Sequence, residues 1–177
     1  MGTQQIILLI INIIGGAAVI GSYIFGLRAQ TGGASVLWGG VPDNIRLVYG
    51  ISMILSALGY FAFLYYILFR LTPTEVSIAG MFGFSMFYVI FIFILLPSAF
   101  WMPLTNIYVG NPNPGMWIGI RTVLALVGLA SIALVWALIS LQTKGPGVAY
   151  WAAVVGSAYF AFHTAILDAI IWAALFK

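Results

Sequence analysis

The chain has 177 residues, of which 64% are hydrophobic and only 5% charged, a composition too apolar for a soluble fold and suited to a lipid solvent. It contains no cysteine, which removes disulfides, thiolate nucleophiles and thiolate metal sites. The net charge of +3 comes from basic residues spread along the chain, not from the cluster that a nucleic-acid surface requires.

The first apolar run, about Gln5 to Leu27, has no positively charged segment before it and is long enough to cross a bilayer. It reads as a retained transmembrane helix and not as a signal peptide. Four more runs of that length follow, about Ile45 to Phe69, Val76 to Trp101, Met116 to Leu141 and Val148 to Leu175. None alternates in polarity as the strand of a membrane barrel does. The expected fold class is all-α, an integral membrane bundle of five transmembrane helices that forms a single domain over residues 1–177 and takes the lipid bilayer as its first partner.

The first connection, Arg28 to Asn44, is long and holds Thr31, Gly32, Gly33, Trp38, Gly39, Gly40 and Pro42. The second and fourth read as a few residues each, which makes antiparallel neighbours. The third reads as Pro103 to Gly115 and ends in the turn-forming run Asn111 to Gly115. Five spans place the first and third connections, with Trp38 and Asn111, opposite the N-terminus. Arg28, Arg46 and Lys177 on that side, against Arg70 and Lys144 on the other, lean towards a cytoplasmic C-terminus by the positive-inside rule.

Few residues carry chemistry. His163, Asp43, Glu75 and Asp168 lie on distant segments, so no metal site is expected. Arg121 and Asp168 fall inside the fourth and fifth spans at similar depth, and an intramembrane ion pair between them is the expectation. The plainer reading of the pair is a structural clamp, or Arg121 reaching back to the headgroups. His163 titrates nearest neutrality, and its plainer role is a hydrogen-bonded helix contact. Five residues, about 140° on an ideal α-helix, separate it from Asp168 and put the two on different faces. No nucleophile has a base beside it and no phosphate-cradling glycine motif is present, so binding is expected and turnover is not.

Aromatic residues are abundant: six Trp, nine Tyr and thirteen Phe. Tyr49, Met53, Ser56 and Tyr60 fall on one face of the second helix, as a pocket wall or as ordinary packing. Trp38, Trp101, Trp117 and Trp151 lie near span ends, where an interfacial belt forms. Small residues also recur, Ala161, Ala165, Ala169 and Ala173 on the fifth helix and Ala79 with Gly83 on the third, a pattern that lets helices approach within a chain or between two.

Five helices, a long first connection with Trp and Pro, and an aromatic interior resemble the translocator protein/tryptophan-rich sensory protein (TspO/MBR) family. Ser56-Ala57-Leu58-Gly59-Tyr60 is similar to a Ser-Ala-Met-Gly-Tyr stretch of family members. Trp101-Met102-Pro103 resembles the family's Trp-x-Pro and sets Ser98 where Asn is common. Ala161-Phe162, Leu167-Asp168 and Trp172 resemble its Ala-Phe, Leu-Asn and Trp pattern with one residue of slip. The family's Lys-Pro-x-Trp-x-Pro-Pro loop signature is reduced here to Trp38 and Pro42, and Arg121 stands where members often carry Asp. The resemblance implies a pocket opening towards the first loop for flat hydrophobic molecules such as porphyrins or sterol-like compounds.

The reading that results is a homodimeric membrane receptor or carrier that binds a planar hydrophobic small molecule, a tetrapyrrole among the candidates, with no covalently bound cofactor. Its pocket candidates are Tyr60, Ser98, Trp101 and His163, with Trp38 and Pro42 on the lid. Two other readings stand beside it: an accessory structural subunit of a larger membrane complex, and a proton-coupled transporter using Arg121, Asp168 and His163. Absence of internal repeats speaks against the transporter.

Overall fold

A computed structural model describes residues 1–29, 34–145 and 147–176; Thr31, Gly32, Gly33 and Lys177 lie outside the described residues. The protein is an all-α bundle of five helices, each long and apolar enough to cross a membrane. They are α1 (Thr3–Ala29), α2 (Asp43–Phe69), α3 (Ser85–Gly110), α4 (Pro114–Ile139) and α5 (Val148–Leu175). Their outer faces carry side chains such as Phe25, Ile54, Leu58 and Leu129, each more than half exposed, as a lipid solvent requires and water would not tolerate in this number.

Four of the five spans start within a few residues of the positions expected from hydropathy. The third is shifted by about two turns: Val76 to Phe84 belong to the connection, and α3 runs through Pro97 and Pro103 to Gly110. The break comes at Ala79 and Gly80, both with positive φ, 52° and 73°, a conformation that stops a helix. The prolines do not end α3, because an apolar surround and neighbouring helices hold a transmembrane helix together across a missing N–H. The Ala79 and Gly83 pair therefore lies in a turn, off any helix face. The second connection is long and the third, Asn111 to Asn113, is short. Asn113 caps α4, its side-chain oxygen accepting from the Met116 amide at 2.9 Å, with Pro114 as the first helical residue.

The second connection is tied to the fourth, with the Ala79 amide donating to Ser140 and the Gln142 amide to Ser77, each at 2.9 Å. Ile78 and Phe84 are buried beneath this crossing. Around the bundle, α1 packs on α3, α3 on α4, α4 on α5 and α5 on α2, while α2 and α1 meet only slightly. Glycines set the closest of these contacts. A Cβ on Gly59 of α2 would stand 2.5 Å from the backbone oxygen of Gly156 on α5, so these two helices touch backbone to backbone. Gly128 of α4 meets Ala165 of α5 in the same way, at 2.9 Å from its Cα, which assigns part of the alanine stripe to packing within the chain.

The α1/α2 seam is closed at one end by side chains. The Gln5 amide donates to the carbonyls of Leu68 and Leu71, at 2.7 and 3.2 Å, capping the last turn of α2. Further along, the Tyr60 hydroxyl donates to Asn12 Oδ1 at 2.5 Å. At the other end, Asn106 of α3 donates to the Gly26 carbonyl at 3.1 Å and the Trp172 indole of α5 to the Leu37 carbonyl at 3.2 Å. Trp38 and Asn111 thus lie at the end of the bundle opposite the N-terminus, as expected.

Candidate ligand-binding site

Where α1 and α2 part, the bundle holds a cavity of about 940 Å³ that is open on one side. Its wall on α1 is the stripe Leu9, Ile13, Gly16, Ile20, Tyr23 and Leu27, spaced as one helix face. Across from it stand Tyr49, Met53, Ser56 and Tyr60 of α2, all four members of the stripe singled out by spacing. Leu95, Ser98 and Trp101 of α3 form the floor, and His163, Asp168 and Trp172 of α5 the far end. Trp38 covers the loop side, in edge contact with Tyr49 at 5.5 Å between ring centroids.

The sequence candidates Trp38, Tyr60, Ser98, Trp101 and His163 all line this one cavity. Pro42 does not. It is exposed and precedes α2 as its N-terminal flanking residue, in extended conformation, where its fixed φ serves the turn into the helix. Asn12 and Tyr23 of α1 were invisible as candidates. A lone Asn in an otherwise apolar span is the signal that points to the first.

Most polar groups along the wall are already paired. Ser98 donates to Ile94 within its own helix at 2.6 Å, and Asn12 holds Tyr60. Two fully buried atoms are not, Ser56 Oγ and Trp101 Nε1, and the partly exposed Asp168 carboxylate accepts no hydrogen bond among the described residues. Unsatisfied buried polar groups cost about 1–3 kcal/mol each; both buried atoms belong to residues that line the cavity, with the polar atoms themselves turned away from its open space.

At the loop end the aromatic rings form a connected set. Tyr23 lies 5.6 Å from Trp101, which meets Trp172 edge-on at 5.4 Å. Trp117 stacks on Phe176 at 5.9 Å, and Trp172 lies 4.4 Å from the same ring. Trp101 and Trp117 therefore pack inward. Trp151, 63% exposed, keeps the outward position of an interfacial ring.

The two ionisable positions of α4 and α5 do not pair. Arg121 is exposed on the outer surface of α4, between the buried Ile120 and the inward Leu124, whereas Asp168 turns into the cavity. Asp168 is instead beside His163, with Oδ2 at 3.6 Å from Nε2. The reason is a change of helix type. From Phe162 to Trp172, α5 is π-helical, and its wider i→i+5 turn brings positions five apart back towards one face. An α-helical reading of the sequence separates them. The loosened ladder is compensated from α2, where the Tyr49 hydroxyl donates to the Leu167 carbonyl.

His163 is held on its other side. Its Nδ1 lies 2.9 Å from Ser52 Oγ, and the Tyr159 hydroxyl donates to that same Oγ at 3.2 Å. With Tyr159 donating to Ser52, the Ser52 proton is free for Nδ1, so the hydrogen-bond pattern assigns the ring N–H to Nε2, facing Asp168.

Comparison of the chain with protein-family models, curated proteins and solved structures finds no match. Among the described residues no group of three or more His, Asp or Glu side chains is placed to hold a metal ion. Ser52, though bonded to His163, is buried and off the cavity wall, which leaves the Ser52, His163 and Asp168 chain without a nucleophile that a substrate could reach.

Proposed function

We propose that this protein is a multi-pass membrane protein that binds a flat, hydrophobic small molecule in the cavity between α1 and α2. The observation that carries the reading is the cavity itself, about 940 Å³, near the upper end of the range for small-molecule sites. Its walls are apolar and aromatic, and His163 and Asp168 of α5 bring polar groups to them. Rings supply area and stacking, while the polar groups of α5 orient the ligand. The weak α1/α2 contact leaves a side opening towards the lipid, so a membrane-dissolved ligand reaches the site without crossing water. The resemblance of Ser56–Tyr60 and Trp101–Pro103 to TspO/MBR sequences leads to the same expectation, with porphyrins and sterols as the first compounds to try.

Titration of protoporphyrin, haem and a sterol into purified protein, followed by tryptophan quenching, tests the reading. Wild type is expected to saturate with at least one of them. Each stacked ring contributes about 0.5–1.5 kcal/mol beyond its buried area, so Trp38→Ala, Tyr60→Ala and Trp101→Ala should each weaken binding by roughly two- to tenfold. No saturable binding to any compound would remove the reading. Unchanged affinity in all three variants would move the site elsewhere.

A further inference from the structure

The cavity has one end that is not apolar, and its charge is one-sided. Among the described residues that line it there is no Lys or Arg, and the only carboxylate is Asp168. That side chain is 29% exposed, and what it is exposed to is the cavity. Among the described residues it accepts no hydrogen bond, and the imidazole beside it, His163 with Nε2 at 3.6 Å, lies beyond direct hydrogen-bond length. His163 itself is buried and committed on Nδ1 to Ser52, which fixes the ring and keeps Nε2 from turning away.

The rings at this end have the same electrostatic sense. Tyr23, Trp101 and Trp172 form a connected set that lines the cavity beside Asp168. Aromatic faces carry partial negative charge and attract cations placed over them. A carboxylate facing such rings in an apolar cavity lacks its counter-charge, and an intramembrane carboxylate without one is costly. A ligand cation would be favoured by both the carboxylate and the ring faces. A ligand anion would be opposed by both.

Building on the ligand-binding reading above, we propose that the cavity selects flat apolar amines in their protonated form, with the ammonium group received by Asp168 between the rings of Tyr23, Trp101 and Trp172. Asp168 is the selectivity-determining residue, and His163 is a positioning residue that holds the carboxylate side of the pocket.

A matched series on one planar skeleton tests this: 1-pyrenemethylamine, 1-pyrenemethanol and 1-pyrenecarboxylate, titrated into the full-length protein in neutral detergent at neutral pH, with wild type, Asp168→Asn and Asp168→Glu. Comparing variants for one compound cancels its partition into detergent. Wild type is expected to bind the amine at least about tenfold more tightly than the carboxylate. Asp168→Asn should weaken the amine about tenfold and change the alcohol by less than about twofold. Asp168→Glu, which keeps the charge, should keep the preference for the amine. A carboxylate bound as tightly as the amine by wild type overturns the proposal even if the Asn variant does not fold. So does an amine affinity that is unchanged in a folded Asp168→Asn. Saturable binding of the alcohol without preference for the amine overturns the charge selectivity alone, whereas failure of all three compounds to saturate overturns the ligand-binding reading with it.

Discussion

Gly59→Ala should lower the unfolding free energy by about 3 kcal/mol, the upper part of the range for overpacking a close contact. The added Cβ would meet the Gly156 oxygen at 2.5 Å, and Gly156 in turn leaves only 2.8 Å between its own Cβ position and Gly59 Cα. Both obstacles are backbone, so no side chain can rotate aside and the two helices must separate along their length. That separation would reach Ser52 and His163, which join α2 to α5 two turns away. Gly26 offers a contrast, since the atom nearest its Cβ position is Met102 Cγ, on a flexible side chain that can repack. Gly50 has nothing within 4 Å, and Gly50→Ala should be neutral or stabilise by up to about 1 kcal/mol through helix propensity. Thermal unfolding in detergent reads the difference, expected as a drop of roughly 6–12 °C for Gly59→Ala. A Gly59→Ala protein as stable as Gly50→Ala would mean that α2 and α5 do not meet there.

Gly16→Phe should reduce affinity for any ligand of the cavity by at least about tenfold, with no loss of stability. Gly16 is in the middle of the α1 stripe that faces the cavity, and a Cβ there meets nothing within 4 Å. A ring grown from that position occupies space that the ligand needs and buries itself against Met53 and Ser56 across the seam. Filling empty space adds apolar contact, so the unfolding temperature is expected to hold or rise. Full affinity in a stable Gly16→Phe protein would place the ligand outside the α1/α2 seam.

How far the molecule is legible in its sequence depends on the helix type and on where breaks fall. Five spans follow from apolar length, and the α2 wall of the cavity from the spacing of Tyr49, Met53, Ser56 and Tyr60. The expected third span, Val76 to Trp101, ends before Pro103 because that proline looks like a stop, whereas the break lies at Ala79 and Gly80, where a positive-φ Ala is announced by no residue preference. An α-helical period sets His163 and Asp168 on different faces, and an eleven-residue π-helical stretch leaves no pattern in side-chain polarity by which to see it. Arg121 seemed the natural partner of Asp168 from depth alone, yet depth does not fix direction, and the two side chains turn to opposite sides of the helix wall. The α1 wall was hidden for another reason: nearly every position of that span is apolar, so the face that lines a cavity and the face that meets lipid read alike.

The site is tested most directly by photolabelling in lipid vesicles with a pyrene derivative that carries a diazirine, followed by mass spectrometric mapping of the attached residues. Labelling is expected to saturate and to fall on cavity residues of several helices, Tyr23, Met53, Trp101 and Asp168 among them, and to be suppressed in Gly16→Phe. Labelling confined to outward residues such as Phe25, Ile54 and Leu129, rising in proportion to ligand concentration and unchanged by Gly16→Phe, would contradict a ligand site inside the bundle.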